Sequence, residues 1–158
     1  NIVLLPLSAL ETVFHMTETI PFELHRIESN NYHSLIQGKI NGQPVVLILD
    51  TGASSTVIDQ SVAIGTPIEP DEDHEVFAAG VNAKRIDVKQ VELPNMQLGD
   101  VVFNNIIVFS TDLRSLSELY LEMTGIEIHG LLGCDFMVDN NATVDFSTGT
   151  IQLNRIHE

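Results

Sequence analysis

Apolar and polar residues alternate along most of this chain with a period of about two, the signature of half-buried β-strands. Residues 19–27 (TIPFELHRI) alternate in this way after Pro21 and predict one strand with the proline near its start. Ser34 to Ile40 leads into Asn41-Gly42, a strong hairpin signal, and Gln43 to Leu49 returns as the second arm. Within that arm Val45-Val46-Leu47-Ile48-Leu49 is unbroken apolar sequence, which reads as a strand buried on both faces. Residues 66–75 are polar and contain two prolines, so they predict a loop. Residues 76–81 and 85–93 read as two arms around a turn near Asn82. Leu98-Gly99-Asp100 marks a further turn, followed by two core strands at 101–103 and 105–109. Residues 142–146 and 150–153 flank Ser147-Thr148-Gly149 as a closing hairpin.

One segment departs from this texture. Leu113, Leu116, Tyr120 and Met123 recur at helical spacing, Ser115 with Glu118 predicts a capping box, and Gly125 suits the stop. Its apolar stripe is assigned to the core. The pattern predicts a mostly β chain with one or two short helices.

The 158 residues suffice for one domain with an ordinary core. With 22 acidic against 7 basic residues the net charge is −15, which argues against nucleic acid or an anionic membrane as partner. No stretch is long and apolar enough to span a bilayer. The single cysteine, Cys134, excludes an intrachain disulfide framework. Its expected place is that of a small buried residue, since no neighbouring base would activate a thiolate.

Chemistry concentrates at Asp50-Thr51-Gly52-Ala53, where the apolar run delivers a carboxylate into a glycine-containing turn. A carboxylate leaving water at the end of a buried strand is costly unless it does chemistry or anchors the turn. Those residues alone leave both readings open. Downstream, Gly130-Leu131-Leu132-Gly133-Cys134-Asp135-Phe136-Met137 is a second apolar segment that ends in glycine and runs into a helix-like stretch.

Together, in this order and spacing, the two segments resemble the retropepsin-like aspartic proteases over about residues 33 to 153. The resemblance implies the acid-protease fold, a closed β-barrel or sandwich. The helix near Tyr120 points to an elaborated, single-lobe relative of bacterial type. It also implies an aspartic endopeptidase that needs two carboxylates at one water, of which this chain has only one Asp-Thr-Gly. Two chains would each contribute Asp50 across a twofold axis, so the expected partners are a second copy and a peptide or protein substrate. The interface would include the Asp50–Ala53 loops and strands near the chain ends, such as 150–156.

By the same resemblance Thr51 would brace the two loops, and Gly52 would bring its N–H to a carboxylate and its carbonyl to substrate. Ala53 stands where many two-lobed relatives carry a hydroxyl. Ser54 and Ser55 would contact substrate, with Ala79, Gly80 and Val81 in a flap over it. Leu131, Leu132 and Gly133 would pass behind the site, and Asp135 would cap the helix at Phe136. Retroviral relatives join an acidic residue to an arginine at the positions of Ser54 and Cys134, so this chain must brace the loop differently. The competing class is a catalytically silent peptide-binding or scaffolding module on the same fold.

No cofactor or metal is expected: the six histidines lack metal-ligand spacing, Asp71 to Glu75 reads as a solvated acidic loop, and Ser54 and Ser55 lack a paired histidine. Residues 1–18 are set apart as an N-terminal extension of the domain at 19–158. Residues 1–16 are expected to fill a cleft, add an edge strand, be removed in maturation or form a plain tail. Met16 as native start would imply a cytoplasmic protein. Trimming from a leader would imply a periplasmic or exported one.

Overall fold

The computed structural model describes residues 14–69 and 88–157. The chain enters through β1 (Phe14–Pro21) and β2 (Glu23–Glu28), then forms the hairpin of β3 (Asn31–Ile40) and β4 (Gln43–Leu49). Asn41 and Gly42 both take positive φ, 49° and 82°, as a two-residue primed turn demands. The loop after β4 leads to β5 (Val57–Asp59) and β6 (Thr66–Ile68). Then come β7 (Lys89–Leu98), β8 (Val101–Thr111), α1 (Arg114–Thr124), β9 (Gly130–Leu132), α2 (Cys134–Asp139), β10 (Thr143–Asp145) and β11 (Thr150–His157).

Strand pairing follows the order β3-β4-β9-β5-β8-β7, and β7 pairs again with β3 through Gly38–Leu98 and Ile40–Met96. The sheet therefore closes into a six-strand barrel, with β2 and β6 attached at its margins. Closure requires β3 to pass close to β7, and a Cβ on Gly38 would lie 2.4 Å from the Gln97 carbonyl. The barrel interior holds Ile36, Leu47, Leu49, Ile58, Leu93, Met96 and Leu132, all in one buried cluster. A second cluster, Leu35, Ile48, Tyr120 and Ile128, lies on the outer face of the same strands, where α1 packs. Leu47 and Leu49 thus face inward and Ile48 outward, so β4 is covered on both sides, as its continuous apolar run demands.

Several local expectations are corrected. The single strand expected at 19–27 is two strands in different sheets, with buried Phe22 at the corner and its N–H donated to the Gly149 carbonyl at 2.9 Å. β1 starts at Phe14, inside the segment set apart as an extension, and pairs with β11 along its length. β11 lies between β1 and β10, so much of its edge is used within the chain. The start of the expected loop 66–75 is the edge strand β6, whose Pro67 pairs with Val91 at a margin where a missing N–H is tolerated. The two core strands expected at 101–109 are one strand, and its Val102 and Ile107 are exposed. The first arm and turn of the expected flap, with Ala79, Gly80 and Val81, lie outside the described residues; β7 begins at Lys89.

Helix α1 also differs in its start and its packing. No capping box forms: Leu113 is the N-cap without a side-chain bond of its own. Asp59 accepts the Leu113 N–H at 2.8 Å and Asp112 the Arg114 N–H at 3.0 Å. Of the apolar stripe only Tyr120 is buried, whereas Leu113 is half-buried and Leu116 and Met123 are exposed. Gly125 ends the helix at φ 74°.

Candidate active site

Asp50 follows the last residue of β4 and keeps the strand's course, for its N–H donates to the Leu132 carbonyl on β9 at 3.0 Å. The chain then turns sharply: the Asp50 carbonyl accepts the Ala53 N–H at 3.1 Å, and the Gly52 N–H donates to Asp50 Oδ1 at 2.9 Å. A Cβ on Gly52 would lie 3.1 Å from that same oxygen, so glycine lets the amide close onto the carboxylate. Asp50 is half-buried, while Thr51 and Gly52 are exposed at the tip. A carboxylate is thus fixed by its own loop and still open to water on one side.

β9 and the start of α2 support the loop from behind. Ala53 and Ser54 carbonyls accept N–H groups of Cys134 and Asp135 at 2.9 and 3.2 Å. Gly133 is buried against the Ser55–Thr56 backbone, where a Cβ would meet Ser55 C at 2.5 Å, and its N–H donates to Thr56 Oγ1 at 3.1 Å. Asp135 carries the far end of the loop. Its carboxylate accepts the Thr56 N–H, with both oxygens at 2.9 Å, and the Thr56 hydroxyl at 2.7 Å. It also accepts the Phe136 N–H at 2.7 Å, but the N-cap of α2 is Gly133, so the expected helix cap is mainly a clamp on Thr56. Cys134 is half-buried rather than buried, and its Sγ donates to the Thr51 carbonyl at 3.0 Å. The position that holds an arginine in retroviral relatives is here filled by a thiol contact to the loop.

The expected site residues therefore fall into two groups. Asp50, Thr51, Gly52, Ala53 and Ser54 share one loop with Leu132, Gly133, Cys134 and Asp135 directly behind it. Ser54 is exposed and Ser55 half-buried on the same loop. Leu131 is half-buried on the outer face, beside the loop rather than behind it, because Leu132 is the residue that turns into the barrel.

Other residues on that outer face drew no expectation from sequence. Cross-strand register aligns Leu35, Ile48, Leu131 and Val57 in a row over β3, β4, β9 and β5, one residue pair back from Asp50. The row is an apolar shelf beside the carboxylate, with Leu35 and Ile48 buried and Leu131 and Val57 half-buried. One step beyond the last β3–β4 pair, Ser34–Leu49, lie His33, still on β3, and Asp50, just past the end of β4, and His33 pairs in turn with His25 on β2. Alternate residues along a strand return to the same face, so His33 follows Leu35 and Asp50 follows Ile48 on the outer side. His33 stacks on Tyr120 of α1 with ring centroids 5.5 Å apart, its Nδ1 lying 3.2 Å from the phenolic oxygen. The register arithmetic around Asn41-Gly42 could have revealed this neighbour: a two-residue turn there pairs positions whose numbers sum as Ile40 and Gln43 do.

Among the described residues no group of acidic, histidine or cysteine side chains is arranged to hold a metal ion, and no helix is long and apolar enough to cross a membrane. Comparison with known proteins gives a family-model match, aspartyl protease, over residues 36–136, from β3 through the first turn of α2. No curated protein sequence matches the chain significantly. Solved structures similar to it include a retropepsin-like aspartic protease from Rickettsia conorii, at 16% identity and TM-score 0.47, covering 92% of this chain and 94% of that one. The retroviral protease-like domain of Ddi1 from Leishmania major aligns at 11% identity and TM-score 0.48, covering 78% and 93%. The matched stretch contains the Asp50 loop and the segment that supports it, and it spans more than half of a chain folded as a closed mostly β barrel. The chain belongs to the aspartyl protease family and folds as a closed, mostly β barrel.

Proposed function

We propose that the protein is an aspartic endopeptidase whose active unit is a homodimer, with Asp50 of each subunit supplying half of a catalytic dyad. The observation that carries this reading is the presentation of Asp50: its carboxylate is tethered by the Gly52 amide while Thr51 and Gly52 remain exposed beyond it. Among the described residues Thr51 Oγ1 has no partner within the chain, which suits a hydroxyl that reaches across a twofold axis.

Two carboxylates brought within hydrogen-bond reach cannot both ionise cheaply, so they share one proton and titrate as a pair. The ionised member takes a proton from water as it attacks the peptide carbonyl. The protonated member donates to the carbonyl oxygen, and the tetrahedral intermediate collapses as the amine leaves with a proton. Leu131 and Val57, the half-buried members of that row, offer an apolar seat for a substrate side chain beside that centre.

The decisive experiment compares peptide cleavage by the wild type and by Asp50→Asn, with and without a statine-type transition-state mimic. The amide is nearly isosteric but cannot exchange the proton, so turnover disappears while the fold persists. Substantial turnover by pure Asp50→Asn would remove the aspartic mechanism. Peptide binding without cleavage in the wild type would instead establish a silent peptide-binding module.

A further inference from the structure

We infer that His33, held by Tyr120, is a specificity-determining residue of the cleft that donates its Nε2–H to an amide or carboxylate oxygen of a substrate side chain. The inference rests on the peptidase reading for the substrate being a peptide, and it follows from three observations.

The first is position. β3 and β4 pair up to Ser34–Leu49, and His33 and Asp50 are the residues that adjoin that last pair, one on each side. Leu35 and Ile48, each two residues back along its strand, belong to the outer cluster with Tyr120. His33 therefore stands on the outer face at the polar end of the apolar shelf, at the same end of the β3–β4 ladder as Asp50.

The second is orientation. Tyr120 is 5% exposed, and the only hydrogen-bond partner of its phenol among the described residues is His33 Nδ1, at 3.2 Å. Burial also pushes the phenol above its ordinary value, so it stays a neutral O–H donor. A buried phenol with a single partner gives its hydrogen there. Nδ1 then accepts, and the ring N–H lies on Nε2. Stacking on the phenol at an interplanar angle of 14° fixes the ring plane as well.

The third is availability. Nε2 makes no hydrogen bond among the described residues, and His33 is half-buried rather than sealed. The neighbouring row offers only apolar side chains, so an incoming acceptor oxygen finds its donor at His33. A site built to hydrogen-bond one substrate group discriminates against an isostere that lacks it. Helix α1 thereby acquires a function: it supplies the tyrosine that selects the tautomer.

The test uses full-length Asp50→Asn protein, which binds peptide without consuming it, and peptides that differ at one residue near the scissile bond: Gln, Glu or the apolar isostere Met. The Gln or Glu peptide, or both, is expected to bind about 5-fold more tightly than the Met peptide, the effect of one hydrogen bond. His33→Phe keeps the stack and loses the donor, so the preference falls to about 1-fold. Nitrogen-detected NMR of the imidazole should find Nε2 protonated in the free protein and shifted by the Gln or Glu peptide. Tyr120→Phe should yield a mixture of tautomers and a reduced preference. Unchanged preference in His33→Phe, a ring protonated on Nδ1, or an Nε2 signal blind to peptide would overturn the inference. If His33→Phe does not fold, the tautomer and the Tyr120→Phe comparison decide. The two readings fail separately: wild-type cleavage without Gln or Glu preference removes only the role of His33, and preference without cleavage removes only the peptidase.

Discussion

Thr56 and Asp135 lie 79 positions apart in the chain and are joined through both the amide and the hydroxyl of the threonine to one carboxylate. With the Asp50 N–H fixed to Leu132 at the other end, the loop from Asp50 to Thr56 is a span pinned at both ends to the same segment, β9 and the start of α2. The carboxylate thus serves the site by holding its frame. Asp135→Ala should cost about 2–3 kcal/mol, because it strands a buried amide and hydroxyl that were bonded to a charged acceptor. Asp135→Asn should cost less, since the amide oxygen still accepts. Urea denaturation of the two variants checks the order; equal loss in both would mean that the clamp contributes packing rather than hydrogen bonding.

Gly133 allows that clamp to form. A methyl there would sit 2.5 Å from Ser55 C, 2.6 Å from Ser55 O and 2.9 Å from Thr56 N, all backbone atoms of the loop. Backbone cannot yield as a flexible side chain can, so Gly133→Ala should destabilise by at least the 1–3 kcal/mol typical of overpacking. It should also move the Asp50 loop, and amide chemical shifts of residues 50–56 should change more than those of β7. A variant with wild-type melting temperature and unmoved loop signals would contradict the close approach.

How far the site was legible in sequence depends on the range of the cause. Asn41-Gly42 states its turn locally, and the unbroken run before Asp50 states its double burial, so the hairpin and its carboxylate are readable from neighbouring residues alone. The helix start is not: local pattern offers Ser115 and Glu118, but the acceptor that wins for Leu113 is Asp59, brought in by the fold from 54 positions away. Phe22 likewise breaks an alternating strand because Gly149 and Phe146 lie across the corner. The helical stripe at Leu116, Tyr120 and Met123 has the right spacing for burial, yet only the tyrosine meets the sheet, since the narrow outer cluster accommodates one residue of the face. His33 needed tertiary knowledge of α1 to become interesting, although its alignment with Asp50 was implicit in the turn.

Asp59 provides a pH test. It is 7% exposed, and its carboxylate accepts the Leu113 N–H, the Ser61 N–H and the Ser61 hydroxyl. Burial pushes its pKa up, but the Ser61 hydroxyl and then the Leu113 and Ser61 amides together pull it down further, leaving it below the ordinary 3.8. A carboxyl with a depressed folded pKa contributes stability that is present above 3.8 and lost as pH falls from there through the folded value. Asp59→Asn should therefore be less stable than wild type by about 1.5–3 kcal/mol at neutral pH. The gap should narrow as pH falls below the ordinary carboxylate range. Urea midpoints at several pH values measure it, and a gap that widens on acidification would reverse the assignment.

In the proposed homodimer activity is a property of association. Each chain carries a formal charge of −15, so two copies repel at low salt, and raising ionic strength should strengthen the dimer. The contact is expected at Thr51 and Gly52, at the part of β11 beyond Gln152 that β10 does not pair, and at α2, whose first residue Cys134 bonds Thr51 and whose Val138 is 73% exposed. A stable contact should bury on the order of 1,000 Å² or more. Val138→Asp adds a charge to a surface that already repels its copy, and dimer affinity should fall about tenfold or more, with specific activity falling at a given concentration. Sedimentation velocity beside activity assays over a dilution series, at low and moderate salt, follows both quantities. Turnover per chain that is independent of concentration in a monomeric preparation would defeat the shared dyad, and with it the proposed mechanism.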